Sequence, residues 1–187
     1  MTKIFLSYRR SDSGDMCDRL ASQLSWHFGE NAVFRDTNTI LAGSDFATVI
    51  SQGIEESRVV LVLIGPNWAT IADTRGVRLS QPDDYVRREI AQAIRMGKVI
   101  VPVLTHGATL PAPNDLPPDI SPLTKYVPLV LRPNPLFSDD LAEIEKHIWP
   151  FVRWRPASWI VAIASLYTFA AYAITVLSLA ITGAYAG

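Results

Sequence analysis

Apolar residues fall in two alternating patterns along the chain. Residues 3–8 (KIFLSY), 32–35 (AVFR), 58–64 (RVVLVLI), 98–104 (KVIVPVL) and 126–131 (YVPLVL) are short continuous apolar runs rich in β-branched side chains. Strands covered on both faces look like this, because neither face meets water. Between the runs the spacing lengthens to the helical period. Cys17, Leu20, Leu24 and Phe28 form one stripe, Phe46, Val49, Ile50, Gly53 and Ile54 a second, and Val86, Ile90, Ala93 and Ile94 a third, within a helix expected from Tyr85 to Met96. Asp12 or Ser13 is placed to cap the first helix, and Ser44 with Asp45 the second, next to the turn residue Gly43. Strands alternating with helices predict a doubly wound α/β domain built on a parallel five-stranded sheet.

Ligands of such sheets bind outside the carboxyl ends of the strands, at the switch point. The first run ends at Ser7-Tyr8-Arg9-Arg10, the second at Arg35-Asp36 and the third at Gly65-Pro66-Asn67-Trp68, each end polar and followed by a loop. The loop over 37–43 carries Ile40 and Leu41 in its middle, which either pack on their own domain or meet a partner surface. In the helix from Tyr85, Arg87, Arg88 and Arg95 spread over the polar surface, but Glu89 falls on the shoulder of the apolar stripe, one turn after Tyr85. Two readings stand for that carboxylate: a boundary ion pair with an arginine such as Arg88 or Arg95, or a functional group facing a cleft.

Composition narrows the function classes. The chain has 187 residues, 49% hydrophobic and 19% charged, enough for one domain of ordinary size plus a smaller element. A net charge of -1 gives no basic face for nucleic acid. The single cysteine, Cys17, forms no internal disulfide and fits a reducing compartment. His27, His106 and His147 are scattered without ligand spacing, so no metal site is expected. Neither a G-x-G-x-x-G, a P-loop nor a nucleophile elbow is present in the sequence.

The N-terminus lacks the pattern of a signal peptide. After Arg153 and Arg155 no charged side chain follows, and Ser158 through Ile181 is an apolar run. A bilayer core takes about 20 apolar residues as a helix. The expectation is a main domain over 1–152, a basic and aromatic linker over 153–157 and a transmembrane helix over 158–182. Both arginines precede the span, which places the N-terminal domain in the cytoplasm, with Trp149, Trp154, Trp159 and Tyr185 spaced as interfacial anchors.

Five motifs in order resemble a TIR domain of the bacterial type: IFLSYRRSD over 4–12, VFRD over 33–36 before a loop leading to GSDF at 43–46, VLVLIGPNW over 60–68, DYVRREI over 84–90 and VIVPVL over 99–104. The resemblance covers roughly residues 1–152 and implies a flavodoxin-like fold. By it, the loop over 37–45, with Ile40, Leu41 and Gly43, is the one through which TIR domains associate with one another. Enzymatic members cleave NAD+ between nicotinamide and ribose with a glutamate on the helix after the third strand, and Glu89 matches that position. Tyr85 stands where several bacterial members have tryptophan. NAD+ would be the substrate, with no separate cofactor, and Ser7, Arg9, Arg10, Asp36, Trp68 and Tyr85 are the candidate substrate contacts. Arg9 and Arg10 either hold a pyrophosphate or form surface salt bridges. Asp36 contacts a ribose or shapes a turn, and Trp68 stacks on a base or packs in the core. The resemblance equally implies an alternative, a membrane-anchored scaffold that recruits other TIR domains without turnover.

Overall fold

The computed structural model describes residues 3–35 and 46–152. Met1–Val152 forms a compact unit of its own. Its main strands are β1 (Ile4–Ser7), β2 (Val33–Arg35), β3 (Val59–Ile64), β6 (Val99–Thr105) and β7 (Leu129–Leu131), with a short hairpin, β4 (Ala72–Asp73) and β5 (Gly76–Val77), inserted after β3. The helices are α1 (Arg10–Phe28), α2 (Phe46–Glu56), α3 (Tyr85–Arg95) and α4 (Phe137–Val152). The five main strands pair in parallel in the order β2-β1-β3-β6-β7, which places the switch point between β1 and β3. All five apolar runs are therefore strands of one sheet. Every residue of β1 and β3 is buried, as runs without polar alternation require.

The sheet separates two cores. On one face α1 and α4 pack Met16, Leu20, Leu24, Phe137, Ile144 and Ile148 against Ile4, Leu6, Leu61 and Leu63. On the other, Ile50, Ile54, Val86 and Ile90 pack with Trp68 against Phe5, Val60, Val62 and Ile64. Alternate residues of β1 and β3 thus feed opposite layers, the period of two expected of strands.

The α3 ends are chemically explicit. Asp84 is the N-cap and accepts the Arg87 N–H at 3.0 Å. At the other end Gly97, at φ 62°, donates to the Ile94 carbonyl while Lys98 N–H reaches Ala93, the paired bonds of a left-handed C-terminal stop. The start of α1 differs from the sequence expectation. Arg9 is its N-cap, without a side-chain cap bond, and Ser13 (φ -141°, ψ 21°) kinks the first turn. Asp12 instead accepts the Asn67 N–H at 2.9 Å, binding α1 to the loop after β3. A Cβ on Gly65 would lie 2.3 Å from the Asp12 carboxylate, so only glycine permits this approach. The expected caps of α2, Ser44 and Asp45, lie outside the described residues.

The apolar runs do not mark α4. It is anchored by Asp140, whose carboxylate accepts the Arg132 N–H and Nε at 2.8 Å and Nη2 at 2.6 Å. The Arg132 hydrogen bonds hold the Asp140 carboxyl below its ordinary value against the opposing effect of burial. A folded pKa below the unfolded one contributes stability above the unfolded value of about 3.9, lost as pH falls through the folded pKa. Asp140→Asn is therefore expected to lower the urea midpoint at pH 7 and to converge with the wild type in acid, once pH has fallen through the folded pKa. Urea titrations at both pH values check this; a difference that persists in acid would mean that packing, not charge, holds the α4 start.

Among the described residues no helix is long and apolar enough to cross a membrane. The segment expected to span, 158–182, lies outside the described residues, as do Asp36, Ile40, Leu41 and Gly43.

Candidate functional site

The α3 helix lies across the carboxyl end of β1, and this crossing builds the site. Ser7 ends β1, opposite Val62 of β3 in register. Its hydroxyl donates a 2.6 Å hydrogen bond to Glu89 Oε2. Glu89 is only 4% exposed, deeper than a position on the shoulder of the stripe suggests. The cause is that α3 is covered on two sides: Val86, Ile90 and Ala93 face the sheet while α2 packs alongside.

Glu89 lines a small open cleft of about 80 Å³ between α2 and α3. Ala47, Ile50 and Ser51 of α2 form one wall; Tyr85, Arg88 and Gln92 of α3 form the other around Glu89. Gln92 Nε2 donates to Ser51 Oγ at 2.8 Å and so fixes the spacing of the walls. Tyr85 is 42% exposed and presents its ring at the cleft, with the Arg88 guanidinium 6.0 Å from the ring centroid. The sequence offered a signal for these neighbours: residues 85, 88, 89 and 92 share one helical stripe by their i, i+3, i+4 and i+7 spacing. The contribution of α2 depends on tertiary packing and has no such signal.

Arg9 is committed elsewhere. Its guanidinium is buried, donates to both oxygens of Asp84 at 3.1 and 3.0 Å and gives Nε to the Trp68 carbonyl at 3.0 Å. It is neither a surface salt bridge nor a side chain lining the cleft; it joins the end of β1, the loop after β3 and the cap of α3. Arg78 Nε approaches the same carboxylate at 3.3 Å. Trp68 is fully buried in the α2–α3 core, among the largest enclosed side chains, and is not on the cleft wall. Arg10 is exposed on the first turn of α1. It hydrogen-bonds Tyr8, partly offsetting burial and the neighbouring Cys17, which together raise the phenol above its ordinary range. The Cys17 thiol is raised chiefly by burial; Arg35 opposes this and Asp18 and Glu89 add to it. It is a packed, neutral thiol.

The histidines sit away from the cleft. His27 pairs with Glu145, His106 with Asp15 at 3.0 Å, and His147 Nδ1 lies 2.8 Å from the Glu143 carbonyl. The site is thus a cleft at the carboxyl end of a doubly wound sheet, with one buried carboxylate, an aromatic wall and a cation at its mouth.

A five-stranded parallel sheet in this order defines the flavodoxin-like α/β class. The TIR domain family model matches residues 4–147, and the chain belongs to that family. The TIR domains of the activated Roq1 resistosome directly recognizing the pathogen effector XopQ are similar in structure, with a TM-score of 0.60 at 15% identity over 79% of this chain and 99% of that one. The TIR domain of the Toll-related receptor TRR-2 from Hydra magnipapillata is similar with a TM-score of 0.53 at 15% identity, over 82% of this chain and 100% of that one. At these identities the likeness is one of fold.

Proposed function

We propose that the chain is a membrane-anchored TIR-domain NAD+ hydrolase, active on assembly in signalling or defence, with Glu89 as its catalytic carboxylate. The observation that carries this reading is a carboxylate 4% exposed, lining a cleft at the carboxyl end of the sheet and oriented by Ser7 at 2.6 Å. Breaking the bond between nicotinamide and ribose returns the bonding pair to the pyridinium nitrogen, so nicotinamide leaves neutral and needs no acid. Positive charge develops on the ribose, and a fixed carboxylate in a partly dry site stabilises it more strongly than it stabilises the ground state. Water, or an atom of the adenine ring, then captures the ribosyl cation to give linear or cyclic ADP-ribose. A second carboxylate, needed when a sugar oxygen must be protonated to leave, is not needed here.

Tyr85 supplies an aromatic face, and the cations placed for the pyrophosphate are Arg88 at the cleft and Arg10 on α1, because Arg9 is held by Asp84. At about 80 Å³ the cleft is far smaller than the roughly 300–1,000 Å³ of ligand sites and does not by itself enclose a dinucleotide. A neighbouring domain completes the site on this reading, with Ile40, Leu41 and Gly43 on the associating loop. Residues 158–181 anchor the chain, leaving the TIR domain in the cytoplasm. The alternative is a scaffold that recruits other TIR domains without turnover.

Full-length protein in detergent, dispersed and then concentrated on beads, distinguishes the two. Loss of NAD+ matched by nicotinamide on concentration is the expected result. Concentrated protein that leaves NAD+ intact would favour the scaffold.

A further inference from the structure

The cleft is narrow because of how its two walls are held. Glu89 is 4% exposed in a space of about 80 Å³, so a ribose reaches its carboxylate only when the walls part. The α3 wall is fixed along its length. Ser7 holds Glu89 at 2.6 Å, Arg9 holds the Asp84 cap, and Arg87 donates from Nε to Asp119 and from Nη1 to the Ser80 carbonyl, each at 3.0 Å.

The α2 wall is pinned at one end. Both helices cross from one parallel strand to the next on the same face of the sheet, so they run side by side in the same direction and start at the carboxyl ends of the strands. At the far end of α2, Lys98 Nζ donates to the Glu55 and Ser57 carbonyls at 2.7 and 2.8 Å, and Ile54 is fully buried. Gly53 lies so close to the Phe34 ring that an added Cβ would come within 2.9 Å of it. Midway along, Gln92 Nε2 donates to Ser51 Oγ at 2.8 Å and approaches the Ser51 carbonyl at 3.4 Å. Both side chains are half-buried, where a neutral hydrogen bond is readily exchanged for water. The Met96 sulfur, one turn on along α3 and 3.7 Å from Nε2, offers the donor a second acceptor on its own helix.

We propose that the hydrogen bond from Gln92 to Ser51 is a latch: it keeps the resting cleft narrow, and its release lets α2 swing about its pinned carboxyl end and open the cleft to substrate at Glu89. The movement of α2 stands on the geometry alone; what it admits rests on the reading of this cleft as an NAD+ site. When only the open fraction of a protein binds, its apparent affinity falls by that fraction, so the latch restrains turnover at low NAD+.

The test uses the full chain in detergent with a cysteine on α2 at Ile50→Cys, in the cleft wall, or at Ile54→Cys, at the pinned end. The two isoleucines are 5% and 0% exposed and Cys17 is buried as a neutral thiol, so labelling by a water-soluble maleimide reports opening at the new site. Ser51→Ala or Gln92→Leu is expected to speed labelling at 50 several-fold and to leave that at 54 unchanged. The two together should be no faster than Gln92→Leu alone, as for two halves of one bond. In chains without an added cysteine, either substitution should raise nicotinamide release several-fold at NAD+ well below KM, through a lower KM. Unchanged labelling at 50, or equal acceleration at 50 and 54, overturns the latch, because the bond is then idle or part of general packing. Where Ile50→Cys does not fold, the release rates decide alone, and an unchanged or raised KM overturns it. Faster labelling at 50 in assembled chains that release no nicotinamide leaves the latch standing and overturns the NAD+ reading instead.

Discussion

Glu89→Gln is expected to lower NAD+ turnover on the order of 10²- to 10³-fold, the loss typical of deleting one electrostatic contact to a transition state. Glutamine keeps the shape of the side chain and an oxygen to accept the Ser7 hydroxyl, whose 2.6 Å bond holds the carboxylate in place. What it removes is the negative charge that faces the ribosyl cation. Because the interaction grows as the bond breaks, the loss falls on kcat as well as kcat/KM. Folding should change little, by less than about 1 kcal/mol, since the hydrogen bond survives in neutral form. If Glu89 served only to stabilise α3 against β1, the variant would lose melting temperature and keep its turnover. Melting and nicotinamide release measured on the same samples separate these outcomes.

Arg9→Met has the second large effect, and it is on stability. The guanidinium donates three hydrogen bonds, two to Asp84 and one to the Trp68 carbonyl, in a site closed to solvent. Removing it leaves the Asp84 carboxylate buried with Arg78 and the Arg87 N–H as its remaining donors. Breaking one side of a buried pair costs about 3–5 kcal/mol. For a domain of this size that lowers Tm by roughly 10 °C. Adding Asp84→Leu should recover part of the loss, because the stranded charge goes, although the helix cap goes with it at about 1 kcal/mol. Below its melting range the single variant should retain KM for NAD+. A raised KM with an unchanged Tm would instead place Arg9 on the pyrophosphate. Thermal melting of the wild type and both variants provides the check.

The central strands β1 and β3 were legible because they are buried on both faces, so a run such as VVLVLI over 59–64 has no competing reading as an exposed element. The α3 helix was legible from end to end: Asp84 precedes it, Gly97 follows it, and its stripe is apolar at the helical period. The stripe of α4, at Phe137, Leu141, Ile144, Ile148 and Val152, has the same spacing, yet acidic residues interrupt it and Pro150 falls inside it. Local patterning marked Glu89 as anomalous without saying why. Its depth depends on α2, which covers α3 from a position more than thirty residues earlier in the chain, and its partner Ser7 lies 82 residues away. The same limit applies to Arg9. A polar strand end beside a switch point reads as a ligand contact, and only the fold shows that Asp84 already occupies the guanidinium.

The central claim is that this cleft cleaves NAD+ and that Glu89 carries the chemistry. The most direct measurement is the rate of nicotinamide release per chain from NAD+, for full-length wild type and Glu89→Gln at equal density on vesicles. Steady release by the wild type, rising with density and lower on the order of 10²-fold or more in the variant, is the predicted result. Equal rates for the two proteins, or no release by wild type that is demonstrably assembled, would contradict it.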